Sequence, residues 1–209
     1  MLDAMARQLA QPTGLLGRLT GRLMNRWNRS MHASALSALG VQRGDRVLEI
    51  GFGGGATLGP LLRAARSGSV VGLELSATMV ARARRHHRSA LDEGRLELRL
   101  GSAEYIPFPD ESFDRVLTIN TLYFWPEASR ALGEIYRVLR PGGRFVLAVR
   151  PKQGMQRGHA EEHGFVLRED AEVQDLLQEA HLRIVALDRH EDHRLGHIVV
   201  VAEKSSRAG

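Results

Sequence analysis

The 209-residue sequence contains no cysteine. This excludes disulfides, thiolate metal sites and cysteine nucleophiles. Lysine is almost as scarce, since 27 of the 29 basic residues are arginine. The formal net charge of +5 favours anionic partners but does not by itself point to nucleic acid. No apolar run reaches the ~18 residues that a membrane-spanning helix needs, and the N-terminus lacks the apolar core of a signal peptide. The expectation is a cytoplasmic protein with no nucleic-acid partner.

The composition supports a self-sufficient core. Hydrophobic residues make up 43% of the chain, and a chain of this size buries roughly 70% of its unfolded surface. One domain with a small appendage is expected. The appendage is the N-terminus, where residues 1–45 carry six arginines against only two acids, Asp3 and Asp45. Between residues 15 and 31, Leu15, Leu16, Leu19, Leu23, Trp27 and Met31 fall on one helical face with Arg18, Arg22, Arg26 and Arg29 beside it. A basic amphipathic helix of this kind either caps the main domain or associates weakly with an anionic membrane surface. Gly14, Gly17 and Gly21 weaken a free-standing helix by ~1 kcal/mol each, which favours the cap.

From residue 45 onward strands and helices alternate, the mark of an α/β fold with a largely parallel sheet. Strands are predicted at 46–50, 69–73, 96–100, 114–119 and 144–149, with helices over 57–66, 77–91, 127–139 and 169–180. Pro141-Gly142-Gly143 reads as a turn into the fifth strand. Two last strands, 182–188 and 197–202, are joined by a polar segment too short for a helical crossover, so they pair antiparallel.

The most specific local feature is Val47-Leu48-Glu49-Ile50-Gly51-Phe52-Gly53-Gly54-Gly55-Ala56. A strand that runs into glycines and then a helix places a ligand against bare backbone at the C-terminal edge of the sheet. Glu74 ends the next strand, where a carboxylate can accept hydrogen bonds from a ribose diol. Gly51, Gly53 and Ala56 also satisfy G-x-G-x-x-G/A, so a nicotinamide dinucleotide remains an alternative. Two features oppose it. The negative charge of Glu49, two residues before Gly51, disfavours a pyrophosphate but suits a ligand bearing an ammonium and a sulfonium. The antiparallel C-terminal pair is foreign to a two-halved dinucleotide fold.

Four blocks in order, VLEIGFGGG (47–55), GLELSATMV (72–80), GSAEYIPFPDESFDRV (101–116) and YRVLRPGGRFVLAV (136–149), resemble the class I S-adenosylmethionine-dependent methyltransferases. Within these the chain looks similar to the group containing the ubiquinone/menaquinone-biosynthesis methyltransferases, the type 11 methyltransferase domain. The resemblance implies a Rossmann-like, seven-stranded, mostly parallel sheet with an antiparallel last strand and helices on both faces. It divides the chain into an N-terminal helical cap (1–40), an S-adenosylmethionine-binding domain (41–203) and a disordered tail (204–209). It also implies that Gly51, Phe52 and Gly53 line the methionine and ribose, with Glu49 near the amino group. Glu74 would hold the ribose hydroxyls, with Leu75 and Met79 against adenine or its sugar. Ser102, Ala103 and Glu104 would border the adenine edge, and Asn120 the methionine. Many relatives carry Asp where this chain has Ser102, a loss of one charge-assisted bond.

Transfer of a methyl group from a sulfonium is an in-line displacement dominated by positioning. The acceptor is expected to be a small molecule methylated at oxygen, nitrogen or carbon, and an amphipathic lipid or quinone-like acceptor at a membrane surface is an alternative. Tyr123 and His159 are the candidate catalytic residues. Asn120 and Tyr123 have the spacing of the N/D-P-P-Y motif of amino-methylating enzymes without its two prolines; Tyr123, Phe124 and Trp125 otherwise form an aromatic pocket wall. His159 and His163 lie four apart, but the H-E-x-x-H order of a metal site is missing. His190, His193 and His197 read as a solvated turn, and no metal is expected. A non-catalytic S-adenosylmethionine-binding protein, a nucleic-acid methyltransferase and a dinucleotide oxidoreductase complete the alternatives.

Overall fold

A computed structural model describes residues 28–156, 165–191 and 196–206. Its centre is a seven-stranded sheet: β1 (Arg46–Ile50), β2 (Ser69–Glu74), β3 (Leu96–Leu100), β4 (Phe113–Ile119), β5 (Leu139–Val149), β6 (Leu182–His190) and β7 (His197–Lys204). The spatial order is β3-β2-β1-β4-β5-β7-β6. β1 pairs in parallel with β2 (Val47 beside Val70) and with β4 (Val47 beside Arg115), so it occupies the point where the strand order reverses. β7 lies antiparallel between β5 and β6, as the short connection before it requires.

Strand alternation sorts the core into two layers. Val47, Val70, Leu117, Val146 and Val199 face one side, and Leu48, Val71, Val116, Leu147 and Val200 face the other. On the first side pack α1 (Arg29–Leu39), α2 (Leu58–Ala64), α3 (Ala77–His86) and α4 (Arg88–Asp92). On the second pack α5 (Ala128–Val138) and, beyond the short α6 (Lys152–Gln156), α7 (Asp170–Glu179). α5 buries Ala128, Ala131, Leu132, Ile135 and Val138, one apolar stripe. α7 opens with a capping box between Glu169 and Glu172.

Three elements differ from the sequence reading. The helix expected over 77–91 is two, because His87 leaves helical geometry; its ring lies beside Gly55 and Gly59 and packs against the glycine loop and α2. Strand β5 begins before Pro141-Gly142-Gly143 and passes through it as a bulge, with Phe113 paired to Leu139 and Arg115 already to Arg144. A Cβ on Gly143 would come within 2.8 Å of the Arg140 carbonyl oxygen, so glycine is what lets the strand fold back on itself there.

The third difference is α1, which buries Met31, Ala35 and Leu39 at a four-residue stride and packs on β4, β5 and β7. It ends in left-handed geometry at Gly40, φ 61°. The helix expected over 15–31 lies, except for its last residues, outside the described residues. Among the described residues no helix is long and apolar enough to cross a membrane.

Candidate active site

The tips of β2, β1 and β4 open into one cleft that extends from Glu74, Leu75, Gly101 and Ser102 past Gly51–Gly54 to Asn120, Thr121, Phe124 and Trp125, with Asn28 and His32 of α1 also in its wall. Backbone geometry builds its floor. Gly51 (φ 72°) and Gly53 (φ 48°) both use left-handed conformations that cost most residues energy. A Cβ on Gly51 would lie 2.3 Å from Thr121 Cγ2, so the end of β4 is pressed onto the loop after β1. Gly51 N also donates to the Leu73 carbonyl at 2.7 Å.

Glu74 is the polar centre of the first half. It is 8% exposed, and its two oxygens accept from Gly53 N and Ser76 N, each at 2.9 Å. A carboxylate has about four acceptor positions, so each oxygen keeps capacity for a ligand hydroxyl. Leu75 stands 57% exposed at the mouth, an apolar surface beside a carboxylate, while Met79 and Ala103 close the wall behind it. The Ser102 hydroxyl accepts from Glu104 N at 3.2 Å. A hydroxyl-accepting carboxylate flanked by flat apolar walls and bare glycine backbone fits the adenosine part of S-adenosylmethionine.

Of the residues expected to contact the cofactor, Gly51, Phe52, Gly53, Glu74, Leu75, Met79, Ser102, Ala103 and Asn120 line this cleft together. Glu49 and Glu104 do not. The Glu104 carboxylate turns away to accept from Glu127 N at 3.3 Å. Glu49 has the strand parity of Val47 and points to the helical layer, where Thr57 Oγ1 donates to its Oε1. Its Oε2 has no hydrogen-bond partner among the described residues. Burial, with the neighbouring Glu74 charge adding to it against the Thr57 bond, pushes its carboxyl up to about 7.

Tyr123 also has a different place from the one expected. Its ring is 5% exposed, and its hydroxyl accepts from Arg150 N and donates to Arg150 O at 3.2 Å. Burial raises its pKa well above the usual phenol value. The side chain fastens the turn of residues 122–124 to the end of β5, and Phe124 and Trp125 form the cleft wall. Arg168 secures the same turn by donating to the carbonyls of Leu122 (3.1 Å) and Trp125 (3.3 Å). His159 and His163 lie outside the described residues. His190 and His197 stack at 4.6 Å, and His197 is 2% exposed, so it belongs to the core and not to a solvated turn. No metal-binding cluster occurs among the described residues.

The sequence reading missed Asn28 and His32. The only signal was their four-residue spacing on either side of Met31, on a helix whose extent had been placed too early. Arg150 connects them to the sheet, donating to Asn28 Oδ1 at 3.0 Å and to the Gly196 carbonyl at 2.6 Å. Burial first, and the Arg150 charge second, push the His32 imidazole down to about 4.

A family profile described as "Methyltransferase domain" matches residues 48–147. The chain is 29% identical over 135 residues to an uncharacterized methyltransferase of Bacillus subtilis, YdaC, covering 65% of this chain and 72% of that protein. It is 37% identical over 123 residues to a fatty-acid O-methyltransferase of Mycolicibacterium smegmatis, covering 59% of this chain but only 43% of that one. The chain thus spans less than half of this second relative's length. Among solved structures, a putative methyltransferase of Haloferax volcanii, in complex with the activator Trm112, superposes with a TM-score of 0.79 at 24% identity and 97% coverage of both chains. Further relatives are named for sterol and demethylmenaquinone methylation. With the glycine-loop cleft, the reversal at β1 and the inserted antiparallel β7, these matches show that the chain carries an S-adenosylmethionine-dependent methyltransferase domain, matched over residues 48–147.

Proposed function

We propose that the protein methylates an apolar small molecule of lipid or quinone type, held in the cleft beyond Asn120. When bound, S-adenosylmethionine supplies an electrophilic methyl group on a sulfonium. Glu74 would accept hydrogen bonds from the ribose hydroxyls while the Gly53 and Ser76 amides keep its carboxylate in place. Leu75, Met79 and Ala103 would flank the adenine, and Ser102 its edge. Gly51 and Asn120 would border the methionine. Glu49 would act from beneath the loop through its field, without contact.

The observation that supports this acceptor class is the aromatic wall of Phe124 and Trp125 beyond the glycine loop, joined by Ile119 and an uncharged Asn28. Such a surface favours a flat or greasy acceptor and, among the described residues, offers no Lys or Arg to a nucleic-acid backbone. Positioning of that acceptor in line with the methyl group supplies most of the rate, on the order of 7–11 kcal/mol when alignment is good. The test is formation of S-adenosylhomocysteine and methylated product, followed by mass spectrometry, with palmitate, an alkylphenol, a short-chain naphthoquinol, a sterol and a single-stranded oligonucleotide offered as acceptors. The expected result is product from at least one of the four apolar compounds and none from the oligonucleotide. Product only from the oligonucleotide would contradict the proposal.

A further inference from the structure

Two titratable side chains line the cleft among the described residues, Glu74 and His32. Glu74 ends β2 and is engaged through both oxygens by backbone amides. β1 separates it from β4 in the sheet order. His32 is on α1, which packs on β4, β5 and β7, the same side as Asn120, Thr121 and the aromatic wall. The two groups therefore serve opposite ends of the cleft.

The His32 end is held rigidly. His32 N donates to the Asn28 carbonyl at 2.8 Å in the first turn of α1. The Asn28 side chain accepts from Arg150, whose own amide is bonded to the Tyr123 hydroxyl. One residue at the end of β5 thus fixes the start of α1, the aromatic turn and, through Gly196, the entry to β7. No such network is needed to bind adenosine at the tips of β2 and β3, but a reacting group must be placed to within about half an ångström.

From this placement, and resting on the function proposed above, we infer that His32 is the catalytic base that receives the proton of a protic acceptor, an alcohol, phenol or quinol hydroxyl. The step balances with no further reagent. A lone pair of the acceptor hydroxyl forms the new O–C bond as the S–C bond breaks and its electron pair stays on sulfur. The hydroxyl proton leaves to an unprotonated nitrogen of the His32 ring and then to water.

The electrostatics agree with this role. Burial and the Arg150 charge keep the ring neutral, so it does not repel a sulfonium and its lone pair is available. A ring this weakly basic does not deprotonate a resting hydroxyl. It need not, because an oxygen gaining a methyl group becomes a strong acid and its proton then moves downhill to imidazole. A carboxylate acceptor brings no proton and gains nothing from His32, so the site selects protic over carboxylate acceptors.

The test uses the full chain with S-adenosylhomocysteine bound and its histidines labelled with ¹⁵N, the His32 signal being assigned by its loss in His32→Asn. Addition of 4-nonylphenol is expected to shift the His32 ring resonance, and palmitate to leave it in place. With S-adenosylmethionine, His32→Asn is expected to lower kcat on the phenol by about 10²–10⁴-fold while its KM and the cofactor Kd change less than threefold. A merely structural role would not give that split. The inference is overturned by a resonance that the phenol leaves unmoved, by an equal response to palmitate, or by phenol turnover that is absent in the wild type or intact in His32→Asn. Failure of S-adenosylhomocysteine to bind at all would instead sink the function proposed above, and this inference with it.

Discussion

The two ends of the cleft are built in different ways. At the cofactor end the key polar contacts are short in sequence: Glu74 accepts from Gly53, 21 residues away, and from Ser76, two residues away. At the acceptor end they are long: Arg150 reaches Asn28 across 122 residues, and His197 reaches Ser34 across 163. A strand, a glycine loop and the tip of the next strand suffice to make an adenosine site. The acceptor end forms only once α1, β5 and β7 have come together. Cofactor binding should therefore survive damage at the acceptor end, whereas damage to the glycine loop should reach both.

The largest effect is expected at the junction of the two. Gly51→Ala forces a Cβ to 2.3 Å from Thr121 Cγ2 at φ 72°, adding a clash to a backbone strain of about 1–3 kcal/mol. Denaturant unfolding should show a loss above about 3 kcal/mol, with cofactor binding abolished. Trimming the neighbour in Gly51→Ala/Thr121→Ser should recover only the part due to the clash. Next comes Arg150→Met, which removes the Arg150 hydrogen bonds to the half-buried Asn28 side chain and Gly196 carbonyl, at a cost of roughly 1 kcal/mol for each bond. Thermal melts should register that loss while calorimetry finds cofactor affinity unchanged within about threefold. Equal loss of both would break the division between the ends.

Glu49 sharpens the comparison from beneath the loop. Its folded-state pKa of about 7 stands above an unfolded value of 4.5, so the unfolded chain releases this proton first. The folded state loses stability as pH rises from 4.5 to 7, and the full penalty, about 3 kcal/mol at most, is present above that range. Glu49→Gln should stabilise the cofactor-free protein at pH 8 by up to that amount and have little effect at pH 4. Urea unfolding at the two pH values checks the sign.

An effect of similar size and opposite sense is expected at the other end. His32 has a folded pKa of about 4 against 6.5 unfolded, so stability is lost as pH falls from 6.5 towards 4, where the unfolded chain alone takes up the proton. His32→Asn should flatten that part of the stability profile.

The same contrast explains what could be read from the sequence. All seven strands were legible because each carries an apolar or alternating run, and Leu96–Leu100 matches to the residue, although the turn residues before Arg144 hid the first part of β5. Nine of the expected cofactor residues meet in the cleft because their spacing is local. Glu49, expected near the methionine amino group, is not among the residues that line the cleft. α1 escaped because Ser30, His32, Ser34 and Ser37 dilute its apolar stride and the arginine-flanked stretch before it drew attention upstream. Arg150 had no local signature, and His32 only its four-residue spacing from Asn28. Their roles depend on contacts between the first described helix and the end of the fifth strand, which no window along the chain contains.

Calorimetric titration with S-adenosylmethionine on the wild type, Glu74→Ala and His32→Asn tests the division most directly. The account predicts weakening of roughly 10- to 150-fold for Glu74→Ala, the value of a hydrogen bond to a charged group, and a change under threefold for His32→Asn. Equal weakening in both variants, or full affinity in Glu74→Ala, would contradict it.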